Sequence, residues 1–394
     1  MAQTAEGLQD FIRGLEEHSP ALKAERRSAT RMADLGWNAA EFNKLVSKAL
    51  KIEDKNSNAL TLWGPLLLAN RPQLMLVHRI IEAMSTETQV RFLVLKNRKV
   101  GASTAIEMLL LAIAIMCPQI TCAILAHTDE SSAKLFSIIR GAYENLPRDL
   151  KERRPLRYNS ESRIVFGNKE IDKIAAGDLG HTAQIKCQTA SGQYPLTGDT
   201  VRVLHMSECA KYDAVGDYEA QQRFILSAMG AVPKSGPSVV ILESTANGQQ
   251  GLFYNEWQKA TRGDTDGGAR WIPIFMSWLQ DPMCVMPIPH GYQWNKWYTD
   301  DASTEADLRE TYHATDEQMY FRRSVIQLEM SGNFELYAQE FPTTAAEAFL
   351  ASGRPAVPRR FIKGMMPYLD DNYTKYMAKV VDTNEQTLTY AVEE

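Results

Sequence analysis

The sequence predicts an α/β fold: a mostly parallel central sheet flanked by helices, built around a phosphate-binding loop (P-loop), with a small helical lid subdomain. Three observations predict it. Between about residues 90 and 246, short apolar runs alternate with segments of helical periodicity. Strands separated by helices need right-handed crossovers, which bury a parallel sheet on both faces. The stretch "FLVLKNRKVGASTAIEMLLLAIAIM" (92–116) runs from an apolar strand through a basic, glycine-bearing turn into an apolar helix. Two later apolar runs, "VRVLHM" and "SVVILES", pass into polar residues at the carboxyl ends of predicted strands, where open α/β sheets bind ligands.

Taken in order, residues 1–57 have helical periodicity and many charges, and end at a polar break, "EDKNSN" (53–58). "RFLVLK" (91–96) and "TCAILAH" (121–127) read as strands, with a helix over 103–116 between them. "TDESSAKLFSIIRGAYENL" follows as a capped amphipathic helix with Asp129 near its start. The less regular stretch 160–190 has room for further strands of the same sheet, and "VRVLHM" (201–206) and "SVVILES" (238–244) complete it. A Gly/Asp-rich loop, "RGDTDGGA" (262–269), separates this block from "WIPIFMSW". Residues 302–332 read as helical, with Thr315 before "DEQ" as an N-terminal cap. "SGRPAVPRR" (352–360) reads as a linker. The expected organisation is an N-terminal helical segment (1–57), a P-loop domain with lid elements (58–350) and a linker segment (351–394).

Composition bounds the function classes. The 394 residues, 44% hydrophobic and 23% charged, suffice for a large core. A net charge of −5 argues against coating nucleic acid through bulk positive charge, so a polyanion must meet a local patch. The stretch 148–163, with six basic and three acidic side chains, is one candidate, although such runs commonly form solvated helix faces. Cys117, Cys122, Cys187, Cys209 and Cys284 form no close pair and no zinc-type spacing, which points to free thiols. The start is polar and acidic, and the longest apolar run (108–116) is too short to span a bilayer. We therefore expect a soluble intracellular protein with no membrane partner.

A phosphate loop needs backbone N–H groups and a helix N-terminus aimed at phosphate oxygens, a cation on the phosphates, and a hydroxyl for Mg²⁺. Gly101 allows close backbone approach; Ser103 stands at the hydroxyl position, with Thr104 behind it. Ala102 occupies the position of the usual lysine, and Lys96, Arg98 and Lys99 precede the glycine instead. In "VRVLHMSECA", Glu208 stands where a strand-end carboxylate would orient the water that attacks a γ-phosphate. Ser207 precedes it in place of the usual aspartate, leaving metal binding to Ser103, Ser207 and water. In "ILESTANGQQGLFYNEW", Ser244, Thr245 and Asn247 lead into a tight Asn247-Gly248 turn that could sense the γ-phosphate. Each motif alone is common; three at successive strand ends of one sheet are not.

Together, "KNRKVGAST", "LHMSECA" and "ILESTANGQQGLFYNEW" resemble the ATPase motifs of the large terminase subunits, the DNA-packaging motors of tailed bacteriophages. "YAQEFPTTAAEAFLASG" resembles the segment leading out of that ATPase domain, so the likeness covers roughly 60–355. It implies a P-loop NTPase that uses ATP and Mg²⁺ to move double-stranded DNA into a procapsid. It also implies a portal protein and a small terminase subunit as partners, a homo-oligomeric ring on the portal, and the cytoplasm of the infected host as location. Arg98 matches the family's arginine before the glycine and Lys96 its displaced lysine; Arg98 is the first choice, with Lys96 and Lys99 left open. Ser207-Glu208 matches the family's Ser-Glu variant, and "NRPQLMLVHRI" resembles the adenine-reading segment, making Gln73 an adenine contact or else a plain helix-surface glutamine.

Two departures stand out. Where many relatives carry an arginine acting on the neighbouring subunit's nucleotide, this chain has Thr197-Gly198, with Arg202 and the 148–163 cluster as substitutes. The family's nuclease domain would begin about where this sequence stops, so we expect the ATPase portion, either part of a longer chain or half of a split pair. Another DNA-dependent translocase, or a catalytically silent docking protein on the same fold, are the alternatives.

Overall fold

The structure is a computed structural model that describes residues 31–54, 57–190, 195–215, 218–249, 251–263, 271–294, 302–351, 377–383 and 388–393. A 3₁₀ turn (Met32–Leu35) leads into α1 (Ala39–Lys48), the antiparallel strands β1 (Lys51–Glu53) and β2 (Leu60–Leu62), α2 (Trp63–Ala69) and α3 (Arg71–Thr86). The central block follows as β3 (Gln89–Lys96), α4 (Ala102–Met116), β4 (Thr121–Ala126), α5 (Asp129–Glu144), α6 (Arg148–Arg153), β5 (Leu156–Asn159), β6 (Arg163–Phe166) and α7 (Ile171–Ala175). It continues with β7 (Gln184–Thr189), β8 (Val203–Ser207), α8 (Tyr218–Gly230), β9 (Ser238–Ser244), α9 (Gly251–Arg262) and β10 (Ile272–Met276). Helices α10 (Ala302–Glu310), α11 (Asp316–Leu328), α12 (Phe334–Glu340) and α13 (Ala345–Ala351) come next. The chain divides into two compact units. The larger holds the described residues up to 292 and from 308 to 351, and the smaller holds the antiparallel pair β11 (Met377–Thr383) and β12 (Leu388–Glu393).

Eight strands form one sheet in the order β10-β3-β9-β8-β4-β7-β6-β5. The pairs from β10 to β7 are parallel, and β6 and β5 add an antiparallel edge. The expected mostly parallel α/β sheet is therefore present, and 160–190 supplies β6 and β7. Alternation along each strand divides the interior in two. Phe92, Val94, Ile124 and Ile241 join the core shared with α3, α4 and α5, while Leu93, Leu95, Leu125 and Leu242 face the core shared with α8, α9 and α13. Burial on both faces explains why these strands read as continuous apolar runs. α4 is wrapped by protein on nearly every side, which accounts for its long apolar run. Among the described residues no helix is long and apolar enough to cross a membrane.

Two expectations change. The polar break at 53–58 falls within the antiparallel pairing of β1 with β2, not at a boundary of the body, and Phe42, Leu45 and Val46 of α1 enter the same core as Leu76 and Val77 of α3. The apolar stripe of α1 thus packs against the sheet-bearing body. "WIPIFMSW" supplies an edge strand of the sheet, β10, beside β3. The expected Thr315 cap is present as a full capping box, in which Thr315 Oγ1 accepts from Gln318 N and Gln318 Oε1 accepts from Thr315 N. Residues 1–30 and the linker at 352–360 lie outside the described residues.

The topology also sets the site. β9 lies between β3, which ends in the glycine loop, and β8, which ends beside Glu208. The strand register aligns Val94 with Glu243 and Glu243 with Ser207.

Candidate active site

The loop joining β3 to α4 is held from three directions. Gly101 has φ +81° and Lys99 φ +62°, the left-handed region that glycine adopts at least cost. Gln73 Nε2, from the first turn of α3, donates to Gly101 O at 2.7 Å, and Asn70 Nδ2 donates to Val100 O at 3.3 Å. A Cβ at position 101 would lie 2.1 Å from Gln73 Nε2. On the other side, the fully buried Asn97 donates from Nδ2 to Asp281 Oδ2 at 3.2 Å. Arg98 N donates to Glu340 O, the last residue of α12, at 2.7 Å. α4 starts directly after Gly101, which has no side chain to cap it, so the helix start carries no N-cap side-chain hydrogen bond.

Below the loop, charged and hydroxyl groups converge on the α4 face of the sheet. Alternation puts Lys96 with Phe92 and Val94, Glu243 with Ile241, and His205 with Ser207; the i, i+4 spacing puts Ser103 and Glu107 on one side of α4. Lys96 Nζ lies 2.7 Å from Glu243 Oε2 and 3.0 Å from Glu208 Oε1, and donates to Ser103 Oγ at 3.3 Å. Glu243 Oε1 accepts from Ser103 Oγ and from Ser207 Oγ, both at 2.7 Å. His205 Nδ1 is 2.8 Å from Glu107 Oε1, and its Nε2 is 3.6 Å from Glu243 Oε1. Glu107, His205 and Glu243 are fully buried.

Burial disfavours the charged form of each of these groups, and for Lys96, Glu243, Glu208 and His205 the partners outweigh it. Desolvation pulls Lys96 down, yet Glu243 and Glu208 together outweigh it and hold the ammonium above its usual range. Desolvation works against Glu243 as well, and Lys96 with His205 holds it well below the usual carboxylate range. Glu208 is held down by Lys96 and Lys211 against burial and the repulsion of Glu243. For His205, burial is again opposed, chiefly by Glu107, and the imidazole is pushed up to about 9. Glu107 is raised by its own burial, with His205 pulling the other way.

Glu208 follows the last residue of β8 with φ +54°, a left-handed conformation unusual for a side chain of this size. Strict alternation would send it to the face opposite Ser207; the turn brings its carboxylate back to Lys96, with Lys211 Nζ 3.0 Å from its second oxygen. Ser244 Oγ accepts from Ala210 N at 3.3 Å, and Asn247 Nδ2 donates to Ala210 O at 3.0 Å. The end of β9 is thereby fastened to the segment after Glu208. Thr245 is buried beside them, and Gly248 takes φ +82°.

Lys96, Ser103, Ser207 and Glu208 thus come together. Arg98 does not join them: its side chain is half exposed, with Nε 3.6 Å from Glu340 Oε2. Lys99 is exposed, Ala102 is buried, and Thr104 is half-buried on the first turn of α4. Gln73 is buried and engaged with the loop, not a helix-surface glutamine. Arg202 donates to Ser235 O and Pro237 O at the amino ends of β8 and β9, away from Glu208. In the 148–163 cluster, near the β5 edge, Arg148 pairs with Glu152 and Arg153 with Asp149.

Sequence reading missed Glu243, His205 and Glu107. The signal lay in plain view: a carboxylate inside "VVILES" and another inside "TAIEMLLL" are too costly to bury without partners. The hydroxyls of Ser103 and Ser207 and the carboxylates of Glu243 and Glu208 are hard oxygen donors of the kind Mg²⁺ prefers, alongside water and phosphate oxygens. Among the described residues no group of three His, Cys, Asp or Glu side chains has a metal-ligating arrangement, so protein ligation would depend on the serines.

No protein-family model and no curated protein matches the chain. Solved structures that match the chain include phage large terminases and a packaging motor. The Thermus phage P74-26 large terminase ATPase domain matches at 16% identity over 64% of this chain and 90% of its own, with TM-score 0.38. The HK97 bacteriophage large terminase matches at 14% identity over 78% of this chain, TM-score 0.46, and the alignment spans 55% of its length. The Phi-28 gp11 DNA packaging motor matches at 10% identity over 57% of this chain and 64% of its own, TM-score 0.28.

Proposed function

We propose that this chain is the ATPase motor of phage DNA packaging, coupling ATP hydrolysis to translocation of double-stranded DNA into a procapsid. The observation that carries the ATPase reading is the Lys96 ammonium held between Glu208 and Glu243 beside Ser103, beneath a glycine loop and an uncapped helix N-terminus. The DNA-packaging part rests on the resemblance of the three motifs.

Lys96 leaves the carboxylates for the β- and γ-phosphates of bound ATP, and Arg98 and Lys99, on the loop above, add positive charge. The N–H groups at Gly101, Ala102 and the first turn of α4 take phosphate oxygens. Ser103, with Thr104 behind it, Ser207 and Glu243 would hold Mg²⁺, which neutralises charge developing on the phosphate oxygens. Glu208, freed from Lys96, orients the attacking water and accepts its proton. Gln73 keeps Gly101 in its left-handed turn, so an adenine contact would require it to give up that bond. Because Ser244 and Asn247 grip Ala210, a shift of Glu208 on phosphate release reaches the end of β9 and couples to Thr245 and Gly248. Portal protein, small terminase subunit and a homo-oligomeric ring complete the proposal.

ATP turnover with and without DNA, for the parent and for Glu208→Gln, tests it. Turnover in the parent and its loss in Glu208→Gln support the motor. An inactive parent, even at high protein concentration with DNA, overturns it in favour of a silent docking protein, a reading that Ala102 and Thr197 at two usually cationic positions favour.

A further inference from the structure

The Glu107-His205-Glu243 chain lies beneath the site, and neither the glycine loop nor the attacking-water geometry requires it. We propose that His205 and Glu107 are positioning residues, which fix the Glu243 carboxylate in register with Ser103, Ser207 and Lys96. The inference rests on the ATPase reading above.

The Glu243 carboxylate connects every element of the site. Its Oε1 takes hydroxyls from α4 and β8, and its Oε2 faces the ammonium of β3. A carboxylate on a strand can rotate about its side-chain bonds, and Lys96, its strongest partner, is also the group that must move onto phosphate. A second hold, one that does not leave with Lys96, keeps Glu243 in place through the cycle. His205 supplies it from the neighbouring strand, two residues before Ser207 and on the same face, as a charge-to-charge contact with Nε2 3.6 Å from Glu243 Oε1, longer than a hydrogen bond.

The ring is itself anchored at its other end. Nδ1 lies 2.8 Å from Glu107, and Glu107 stands one helical turn after Ser103 on α4. The chain therefore ties β9, β8 and α4 together directly under the phosphate loop, and the helix that carries Ser103 also carries the residue that orients the Glu243 support. The surroundings are apolar: Ile106, Met108, Leu109 and Ile241 belong to the same core. Three apolar side chains would pack here at less cost than two carboxylates and an imidazole, which need their mutual contacts to be buried at all. A buried polar chain that runs from a helix core to a site carboxylate has the arrangement of an orienting shell.

The two amide replacements of His205 separate positioning from packing. The Gln amide nitrogen stands near the place of Nε2 and can still reach Glu243; the Asn amide stands near Nδ1 and reaches only Glu107. For His205→Asn we expect kcat for ATP to fall roughly 10- to 100-fold with little change in KM, and for His205→Gln recovery to within about fivefold of the parent. Crystal structures of both variants supply a readout independent of turnover. The Ser103–Glu243 and Ser207–Glu243 bonds, 2.7 Å here, should open in His205→Asn and persist in His205→Gln. Equal kcat in the two variants, or a Glu243 carboxylate unmoved in His205→Asn, overturns the positioning role. An inactive parent overturns the ATPase reading, and the crystal distances still decide whether His205 holds Glu243. Should His205→Asn not fold, Glu107→Gln replaces it, with the same opening of both serine bonds expected and an unmoved Glu243 overturning the proposal.

Discussion

Lys96 and Glu243 face each other across the adjacent parallel strands β3 and β9, ammonium to carboxylate at 2.7 Å, both buried. Removing one partner of a buried pair leaves an uncompensated charge, a loss of about 3–5 kcal/mol. Lys96→Met should therefore abolish turnover and lower the unfolding free energy by an amount in that range. Adding Glu243→Gln removes the stranded charge, so the double variant should regain stability without regaining activity. Urea denaturation of the four proteins measures the coupling; additive losses would refute the pair.

Glu208 touches the same ammonium but is partly exposed, and Lys211 gives it a second cation. Glu208→Gln keeps its size and can still accept from Lys96. We expect turnover to fall by about 10²–10⁴, the range for losing a general base, while ATP-analogue affinity changes little. A variant that fails to bind nucleotide would instead assign Glu208 to binding.

Gly101 tests the loop. An alanine there must hold φ +81° and displace Gln73, whose amide would stand 2.1 Å from the new Cβ. The left-handed backbone costs about 1–2 kcal/mol, and the lost Gln73 bond about 0.5–1.5 kcal/mol. Gly101→Ala should lower stability by roughly the sum of these and weaken ATP binding more than tenfold. In the Gln73→Ala background the same change should cost less stability, because the clash has gone. An equal cost in both backgrounds would place the strain in the backbone alone.

The sheet and the loop were legible because they obey local rules. The apolar runs 91–96 and 238–244 became strands, and Gly101 and Ser103 took the turn and the helix start that their chemistry requires. Strand order was not legible, since no local pattern announces that β9 inserts between β3 and β8. That insertion is what brings Glu243 to Lys96, and so it decided which cation occupies the centre. Lys96 and Arg98 are two residues apart and chemically equivalent on paper. The last strand residue, Lys96, points its side chain to the α4 face of the sheet, whereas Arg98, already in the turn, has its backbone tied to Glu340 and its guanidinium half exposed. His205 and Glu107 were missed for a related reason: each reads as an isolated polar residue until topology supplies its partner.

The buried imidazole gives stability a pH signature. His205 is faced by Glu107 from α4 and Glu243 from β9, with Lys96 of β3 beyond Glu243, and the two carboxylates outweigh burial to push it up to about 9, against 6.5 ordinarily. A group whose pKa is raised on folding binds its proton more tightly in the folded state, so alkali favours unfolding. The stabilisation is fully present below about 6.5 and is lost as pH rises through about 9. Unfolding free energies from urea titrations at pH 6, 7.5 and 9.5 should fall along that series for the parent. His205→Gln, which has no proton to lose in this window, should show a flatter profile, with the two proteins differing least at the alkaline end. Parallel profiles would mean that the Glu107-His205-Glu243 chain does not carry a proton that is tied to folding.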